Sequence, residues 1–291
     1  MSDAGRDLER ARTAESGARR APARPLQCVA LVGAGPGDPE LLTQRAARYL
    51  AVAEVVLHDR LVADGVLALV PTDARLVDVG KGPGGGCPQE RINELLVLFA
   101  LAGRRVVRLK AGDPYVFGRG REEADALEAA GIAYEVVPGL SSALAGPASV
   151  GIPVTHRAAA ASFTVVTAAR AAGEPEPDWE ALARLGGTIV VLMGAARRAE
   201  VAAALTAGGL DPATPVAAIT DATTPHAVTV TGRLGQLGAL DIRSPAVIII
   251  GAVAAFAEPG DDHRASARAQ PAVGVEQRAV DRLAVDPPPR G

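Results

Sequence analysis

Hydrophobic positions along the chain form short apolar runs, separated by segments in which apolar residues recur every three or four positions. The runs are typical of buried strands, and the spacing between them is that of one face of an α-helix. In the first half this alternation predicts an α/β fold on a mostly parallel sheet. The predicted strands are Cys28–Gly33, Ala53–His58, Arg75–Val79, Arg105–Leu109 and Ala133–Val137, and the predicted helices are Glu40–Leu50, Pro88–Leu101, Arg119–Ala130 and Ser141–Val150.

A segment containing glycine and proline, Gly151–Arg157, separates a second set of elements. Its late strands follow one another with short turns, which predicts a mixed, partly antiparallel sheet. The predicted strands are Phe163–Thr167, Thr188–Met193, Val216–Thr220, Ala227–Thr231 and Ala246–Gly251, with helices at Trp179–Leu185 and Ala196–Ala207. We therefore expect two α/β domains, 26–157 and 158–257, with a ligand-binding cleft between them.

The two ends of the chain differ in composition from the part between them. Residues 1–25 and 258–291 are rich in charged residues, Ala and Pro and poor in large apolar groups, so we expect disordered tails. Residues 1–25 also lack the apolar segment of a signal peptide, and the longest apolar runs are too short to cross a bilayer. We expect no membrane partner.

Charge and cysteine content narrow the class of protein. The net charge is −3 at pH 7, which argues against nucleic acid as a partner, since nucleic-acid-binding proteins usually carry a basic excess. The two cysteines, Cys28 and Cys87, form no CxxC or Cys/His cluster, so we expect neither a disulfide framework nor a metal site. The cytoplasm is the expected location.

A glycine-rich turn, Gly33–Asp38, lies between the first predicted strand and the first predicted helix. Its GxGxG spacing differs from the GxGxxG of dinucleotide-binding folds, and Pro36 lacks the backbone donor that a pyrophosphate needs. No Lys-Ser or Lys-Thr follows, so the turn is not a P-loop. An ordinary turn, with Asp38 as N-cap beside Pro39, explains Asp38 but not three glycines and a proline.

The most informative segment is Arg108–Gly120, with the sequence RLKAGDPYVFGRG. A buried-strand pattern ends there in glycine, a carboxylate, proline and two aromatic residues, with the cations Arg108, Lys110 and Arg119 on both sides. A strand that ends at a ligand pocket uses such residues, because glycine permits close backbone approach, Asp113 accepts hydrogen bonds and arginines bind an anionic partner.

Several segments, in order, resemble the uroporphyrinogen-III C-methyltransferases of the tetrapyrrole methylase family. They are Val32–Pro39, Val56–Val62, Gly80–Lys81, Arg108–Gly120, Val136–Ala143, Gly151–Arg157, Met193–Gly194, Thr214–Ala217 and Pro245–Ile248, within about residues 27–256. The resemblance implies two α/β domains of the tetrapyrrole methylase type, with S-adenosylmethionine in the inter-domain cleft and S-adenosylhomocysteine as its product. It also implies a homodimer that methylates uroporphyrinogen III at two pyrrole carbons, giving precorrin-2 for cobalamin and sirohaem biosynthesis.

The resemblance also implies roles for individual residues. The implied cofactor contacts are Pro36, Ala111, Gly112, Asp113, Val116, Ser141, Ser142, Met193, Ala222 and Ala246. Asp59 matches the proton acceptor and Lys81 the proton donor, and no metal is implied. Because the tetrapyrrole substrate carries many carboxylates, arginines are expected to bind it. The candidates are Arg60, Arg119, Arg121 and Arg157.

Four of these residues have an ordinary structural alternative. Met193 fits a core methionine at a strand end, and Asp59 fits a surface turn. Lys81 fits a solvated lysine, and Arg121 fits the exposed face of a helix.

The chain departs from the family pattern on the substrate side. His58 stands for a tyrosine, Ala111 and Arg121 stand for glycines, and two histidines of the pattern are missing, at Gly86–Cys87 and Ala168–Ala169. Two other functions therefore stay open: methylation of a later corrinoid precursor, and non-catalytic binding of S-adenosylmethionine or a tetrapyrrole. The presence of both proton-transfer residues favours the enzyme.

Overall fold

The computed structural model describes residues 29–82, 85–169 and 176–257. The predicted tails and Cys28 lie outside these residues. The chain divides into two compact units. The first runs to Gly146 and takes in Asp221–Ala227, whereas the second holds Pro147–Thr220 and continues from Val228. The predicted boundary after residue 157 therefore falls within the second unit.

The first unit is built on a parallel sheet. In chain order its strands are β1 (Val29–Gly33), β2 (Val55–His58), β3 (Arg75–Asp78), β4 (Lys81–Gly82), β5 (Gly85–Gly86), β6 (Val106–Lys110) and β7 (Tyr134–Val137). β4 and β5 pair as a short antiparallel hairpin, which was not predicted. The other five strands form one sheet in the order β3-β2-β6-β1-β7, and each runs parallel to its neighbours. The predicted parallel sheet is thus confirmed.

Helices cover both faces of this sheet, which explains why its central strands are buried and, apart from the charged Arg108 and Lys110 of β6, mostly apolar. The helices are α1 (Gln44–Leu50), α2 (Asp64–Leu67), α3 (Gln89–Leu101), α4 (Gly120–Ala129) and α5 (Ser142–Ser149). α1 and α2 pack with Val32, Val56 and Leu109 on one face. α3 and α4 pack with Leu31 and Leu57 on the other.

The strand order places a crevice at the carboxyl ends of β1 and β6. β1 leads through α1 to β2, whereas β6 leads through α4 to β7 on the opposite side of the sheet. The helices that follow these two adjacent strands therefore lie on opposite faces. In open parallel sheets, ligands bind where the connections diverge in this way.

The first predicted helix is interrupted. Pro39–Leu41 forms a single 3₁₀ turn capped by Asp38, whose carboxylate accepts a hydrogen bond from the backbone N–H of Glu40 at 2.9 Å. α1 begins only after Thr43, whose hydroxyl accepts a hydrogen bond from the N–H of Ala46 at 3.1 Å. The predicted N-cap at Asp38 is confirmed. The predicted helix start is wrong, because a second cap restarts the helix at Gln44.

The second unit is built on a mixed sheet in the order β11-β10-β12-β9-β8. Its elements are β8 (Phe163–Thr167), α6 (Trp179–Leu185), β9 (Thr188–Leu192), α7 (Arg198–Ala207), β10 (Pro215–Thr220), β11 (Val228–Arg233) and β12 (Ala246–Ile250). β8 and β9 are parallel, whereas β10 is antiparallel to β11 and β12, and β12 is antiparallel to β9. The predicted mixed sheet is confirmed.

Two 3₁₀ segments of the second unit, Leu234–Ala239 and Ala252–Phe256, were not predicted. No helix in the part of the chain that the structure describes is long and apolar enough to cross a membrane.

Candidate active site

The carboxyl edge of the parallel sheet gathers most of the predicted site residues of the first unit. Pro36 follows β1, Asp59 and Arg60 follow β2, and the Ala111–Asp113 turn follows β6. Ser141 and Ser142 lie after β7, at the start of α5. Because the five strands are parallel, all these turns lie at one edge of the sheet.

Three glycines allow the turns after β1, β6 and β7 to touch through their backbones. A Cβ added at Gly33 would lie 2.5 Å from the backbone N of Gly139, and one at Gly139 would lie 2.2 Å from the carbonyl O of Gly112. Gly35 and Gly112 also form an isolated bridge, with N···O distances of 3.2 and 2.8 Å. Close backbone packing therefore accounts for Gly33, and positive φ angles of +72° and +150° account for Gly35 and Gly37.

Asp113 fastens the turn after β6 to the turn after β7. Its Oδ1 accepts a hydrogen bond from the N–H of Tyr115 at 2.8 Å, and its Oδ2 accepts one from the N–H of Gly139 at 3.1 Å. Both carboxylate oxygens thus bind backbone donors of the protein. The sequence suggested that Asp113 accepts hydrogen bonds. In the structure its donors are the backbone amides of Tyr115 and Gly139.

The same turns present backbone and apolar side chains together. Gly112 has a φ of +69°, and among the described residues a Cβ added there would meet only the Cα of Ser141, at 3.9 Å. Val116, Phe117 and Leu140 are large apolar residues of these turns that stay exposed. Exposed backbone beside apolar side chains fits an adenosyl group, which needs flat apolar contact and a few hydrogen-bonding groups. These residues therefore fit S-adenosylmethionine.

The segment Asp221–Ala227 packs on the glycine-rich turn, which the sequence did not indicate. The N–H of Asp38 donates to Oγ1 of Thr223 at 3.2 Å. A Cβ added at Gly37 would lie 3.4 Å from the carbonyl O of Ala222. Ala222, a predicted cofactor contact, therefore lies beside the turn that carries Pro36, and the two belong to one unit.

Gly37→Ala is expected to lower the free energy of unfolding by about 2 kcal/mol. Gly37 has a φ of +150°, where alanine is strained, and its Cβ would lie 2.7 Å from Cγ2 of Thr224. Thr224→Ser removes that methyl, so the double variant is expected to regain part of the loss. Chemical denaturation of the three variants measures these differences. Equal stability of Gly37→Ala and the double variant would contradict the contact.

A buried ionic network adjoins Asp59. Side-chain alternation along β6 turns Arg108 and Lys110 toward the face that α3 and α4 cover. Arg108 Nε donates to Oε1 of Glu123 at 2.8 Å, and Lys110 Nζ donates to the same oxygen at 2.9 Å. These three side chains are at most 2% exposed. Arg108 Nη2 also pairs with Oδ1 of Asp59, so the predicted proton acceptor is tied to the network.

Burial and charge act in opposite directions on the two cations. Burial disfavours the charged form of Arg108, but the carboxylates of Asp59 and Glu123 outweigh this effect and raise the pKa of Arg108. Burial and the neighbouring Arg108 lower the pKa of Lys110, in spite of its contact with Glu123. Arg108 is therefore the permanent cation of the network.

The placement of Arg108 and Lys110 differs from the sequence-based expectation. Arg108 was expected to bind an anionic partner, but both cations bind carboxylates of the protein itself. The missed residue is Glu123, which lies with Ala124 and Leu127 on the buried stripe of α4. A carboxylate at such a position was the available signal, since a buried acid needs a cationic partner.

The remaining candidate arginines of this edge and of the second unit differ in their contacts. Arg60 and Arg157 are exposed and form no ion pair with the described residues. Arg119 precedes α4 and donates two hydrogen bonds to Glu122, at 2.7 and 2.6 Å. Arg121 is exposed and pairs with Asp125 and Glu128, which lie on its own helix, α4.

Lys81 follows Gly80, whose backbone packs closely against Arg60. A Cβ added at Gly80 would lie 2.4 Å from the Cβ of Arg60 and 2.5 Å from its backbone N, so only glycine permits this approach. β4 therefore begins next to the turn that carries Asp59. The side chain of Lys81 lies outside the described part of the structure, and its role as proton donor stays a prediction.

In the second unit, Met193 and Ala246 lie at the same end of two neighbouring strands. β9 and β12 are antiparallel, with Leu192 opposite Val247, so Met193 follows β9 where Ala246 begins β12. Met193 has a φ of +53° and is 50% exposed. It is therefore not a core methionine, and its flexible apolar side chain is accessible to a ligand.

No three His, Cys, Asp or Glu side chains of residues 29–82, 85–169 and 176–257 are grouped so as to hold a metal ion. A cavity at the opposite edge of the parallel sheet, lined by Glu54, Arg75 and Arg105, contains none of the predicted site residues. The carboxyl edge is thus the candidate active site.

The fold defines an α/β protein of two compact units, with a candidate ligand site at the carboxyl edge of a parallel sheet. The sequence model of the Tetrapyrrole (Corrin/Porphyrin) Methylases matches residues 28–238. The chain belongs to this family, which confirms both the resemblance and the fold class predicted from the sequence.

The chain is similar to longer curated proteins. It is 48% identical to the siroheme synthase of Chromobacterium violaceum over 252 residues, which are 85% of this chain and 53% of that protein. It is 45% identical to the siroheme synthase of Neisseria meningitidis serogroup C over 256 residues, or 84% of this chain and 53% of that protein. The chain thus spans about half the length of these relatives.

Solved structures that this chain covers almost completely share the fold. The uroporphyrin-III C-methyltransferase of Thermus thermophilus, complexed with S-adenosylhomocysteine, superposes with a TM-score of 0.69 at 45% identity. The match covers 78% of this chain and 98% of that one. A cobalt precorrin-4 methyltransferase superposes with a TM-score of 0.71 at 25% identity, over 82% of this chain and 100% of that one.

Proposed function

We propose that the chain transfers methyl groups from S-adenosylmethionine to two pyrrole carbons of uroporphyrinogen III, giving precorrin-2. The observation that carries the proposal is the position of Asp59 at the same sheet edge as the Ala111–Asp113 turn, after the neighbouring strand. A carboxylate and a turn that fits an adenosyl group thus lie at the ends of two neighbouring strands. The 45% identity to the Thermus thermophilus enzyme supports the choice of substrate.

The first unit supplies most of the proposed cofactor contacts. The set is Pro36, Ala111, Gly112, Asp113, Val116, Ser141, Ser142 and Ala222, and Met193 and Ala246 are the proposed contacts of the second unit. When bound, S-adenosylmethionine supplies a methyl group on a sulfonium. The chain's own contribution to an in-line displacement is alignment, which rigid backbone turns provide better than flexible side chains.

Asp59 is the proposed proton acceptor. The pyrrole carbon that gains a methyl group leaves the macrocycle cationic, so a proton has to depart, and a carboxylate beside the ring accepts it. Lys81 is the proposed proton donor. Arg60, Arg119, Arg121 and Arg157 are proposed to bind the substrate carboxylates, for which the guanidinium fork is well shaped.

Arg121→Ala is expected to raise KM for the tetrapyrrole far less than Arg119→Ala. Arg121 is 60% exposed and pairs with Asp125 and Glu128 on its own helix. Arg119 also pairs with one exposed carboxylate, but Arg121 has two partners and stands where the family pattern has glycine, so its loss is expected to matter less. We expect a change of about twofold for Arg121→Ala and about tenfold for Arg119→Ala, the loss of one charge-assisted contact. Steady-state kinetics measures both KM values. Equal effects would contradict the smaller contribution that we assign to Arg121.

A second candidate function is methylation of a later corrinoid precursor. The similarity to a cobalt precorrin-4 methyltransferase, over the full length of that protein, favours it. The absent histidines at Gly86–Cys87 and Ala168–Ala169 favour a third candidate, non-catalytic binding of cofactor or tetrapyrrole. The presence of both proposed proton-transfer residues, Asp59 and Lys81, speaks for catalysis.

The proposed activity of this chain is the methylation step. Its product, precorrin-2, would be available to sirohaem and cobalamin synthesis. We also propose that the protein acts in the cytoplasm as a homodimer, without a nucleic-acid or membrane partner. The names of the siroheme synthases support the sirohaem branch. The acidic net charge of −3 supports the absence of a nucleic-acid partner.

The test is a competition between substrates. Methyl-labelled S-adenosylmethionine is offered anaerobically to a mixture of uroporphyrinogen III and a later corrinoid precursor. The proposal predicts label in the uroporphyrinogen. Label in the corrinoid alone would transfer the assignment to the second function, and cofactor binding without any label transfer would favour the binding protein.

A further inference from the structure

The guanidinium of Arg108 joins two carboxylates and the backbone of β2 and β6. Its Nε donates to Oε1 of Glu123 at 2.8 Å, and its Nη2 pairs with Oδ1 of Asp59. Its Nη1 donates to the carbonyl O of Leu109 at 3.2 Å and to that of Leu57 at 3.4 Å. All three nitrogens are engaged in a side chain that is 2% exposed, so the guanidinium has one fixed orientation.

Glu123 anchors this guanidinium from α4. Its side chain is fully buried, and its Oε1 accepts hydrogen bonds from Arg108, from Lys110 and, at 3.4 Å, from Nε2 of Gln89. A buried carboxylate needs such partners to remain in the core. Lys110 and the Nε of Arg108 already supply them, so the anchor does not depend on Asp59.

The Nη2 group of Arg108 pairs with Asp59, which is less buried than Glu123. The side chain of Asp59 is 30% exposed and lies at the sheet edge, whereas that of Arg108 is 2% exposed. Oδ1 of Asp59 is bound by Arg108, and Oδ2 accepts no hydrogen bond from the described residues. The Nη2 group thus holds one carboxylate oxygen of Asp59 and leaves the other accessible.

We propose that Arg108, anchored by Glu123, is a positioning residue that holds Oδ1 of Asp59 so that Oδ2 faces the proton of the substrate. The inference rests on the proposed function, in which Asp59 is the proton acceptor. Arg108 acts through Asp59 and touches neither substrate nor cofactor. Misplacing a catalytic group by a fraction of its contact distance lowers turnover without weakening cofactor binding.

Arg108→Lys tests the inference. Lysine keeps a positive charge beside Glu123, but one ammonium group cannot occupy the places of three guanidinium nitrogens. We expect kcat to fall about tenfold or more, with KM for S-adenosylmethionine within about twofold of the wild type. Arg91→Lys is the matched control, because Arg91 pairs with Glu94 on the exposed side of α3, at 2.8 Å. It is expected to leave turnover unchanged.

A double-mutant cycle with Asp59→Asn separates positioning from stability. If Arg108 acts through Asp59, Arg108→Lys has no further effect on kcat once Asp59 is asparagine. If Arg108→Lys lowered kcat by the same factor in the wild-type and the Asp59→Asn backgrounds, the inference would be overturned. Wild-type turnover in Arg108→Lys would overturn it as well. If Arg108→Lys does not fold, Glu123→Gln takes its place in the cycle, since glutamine has the same shape without the charge. Failure of the proposed function is seen separately, as a wild-type protein that methylates no uroporphyrinogen III.

Discussion

Asp59→Asn is expected to lower the turnover of uroporphyrinogen III by about 100-fold or more, the usual contribution of general base catalysis. Asparagine has the size of aspartate and still accepts a hydrogen bond from Arg108, but it cannot take up a proton. The cofactor turns follow β1, β6 and β7, whereas Asp59 follows β2. The affinity for S-adenosylhomocysteine is therefore expected to stay within about twofold of the wild type.

Product formation under single-turnover conditions measures the chemical step of this variant, and calorimetry with S-adenosylhomocysteine measures binding. Asp64→Asn is the control, since Asp64 is an exposed carboxylate five positions along the same chain segment. It is expected to behave as the wild type. If Asp59→Asn kept wild-type turnover, Asp59 would be an ordinary surface-turn residue and the proposed mechanism would be wrong.

Gly139→Ala is expected to lower the free energy of unfolding by about 3 kcal/mol, the upper end of the cost of overpacking. The added Cβ would lie 2.2 Å from the carbonyl O of Gly112 and 2.8 Å from the Cα of Gly33, and backbone atoms cannot rotate away. Moving Gly139 also breaks its hydrogen bond to Asp113, which is 3.1 Å long. We therefore expect the affinity for S-adenosylhomocysteine to fall about tenfold, or 1.4 kcal/mol.

Gly103→Ala provides the matched control for Gly139→Ala. Gly103 has a φ of +73° in the turn before β6, and a Cβ added there meets no described atom within 4 Å. Gly103→Ala is expected to lower the free energy of unfolding by about 1 kcal/mol through backbone strain alone, and to leave the cofactor affinity unchanged. Denaturant unfolding and calorimetry compare the two variants. Equal losses of stability would contradict the packing of the three turns.

The alternation of strands and helices was readable from sequence because the central strands are short and mostly apolar runs. β1, β6 and β9 were predicted to within two residues at either end. The interruption of the first helix was harder to predict, since Thr43 is a second cap one turn after Asp38. The two caps compete over one apolar pattern, and local spacing does not decide between them.

The site was predictable where it depends on one segment and not where it depends on two. Asp113 and Gly112 could be recognised as the end of β6. The partner of Arg108 could not, because Glu123 lies on another element and only tertiary packing brings them together. The contact of Thr223 with Asp38 joins residues 185 positions apart, and nothing in either segment alone indicates it.

The most direct test of the proposed function is the mass of the tetrapyrrole after anaerobic incubation with uroporphyrinogen III and S-adenosylmethionine. The geometry at Asp59 and the similarity to the Thermus thermophilus enzyme predict a gain of two methyl groups. An unchanged mass, with a protein that binds S-adenosylhomocysteine, would contradict the assignment of uroporphyrinogen III as the substrate.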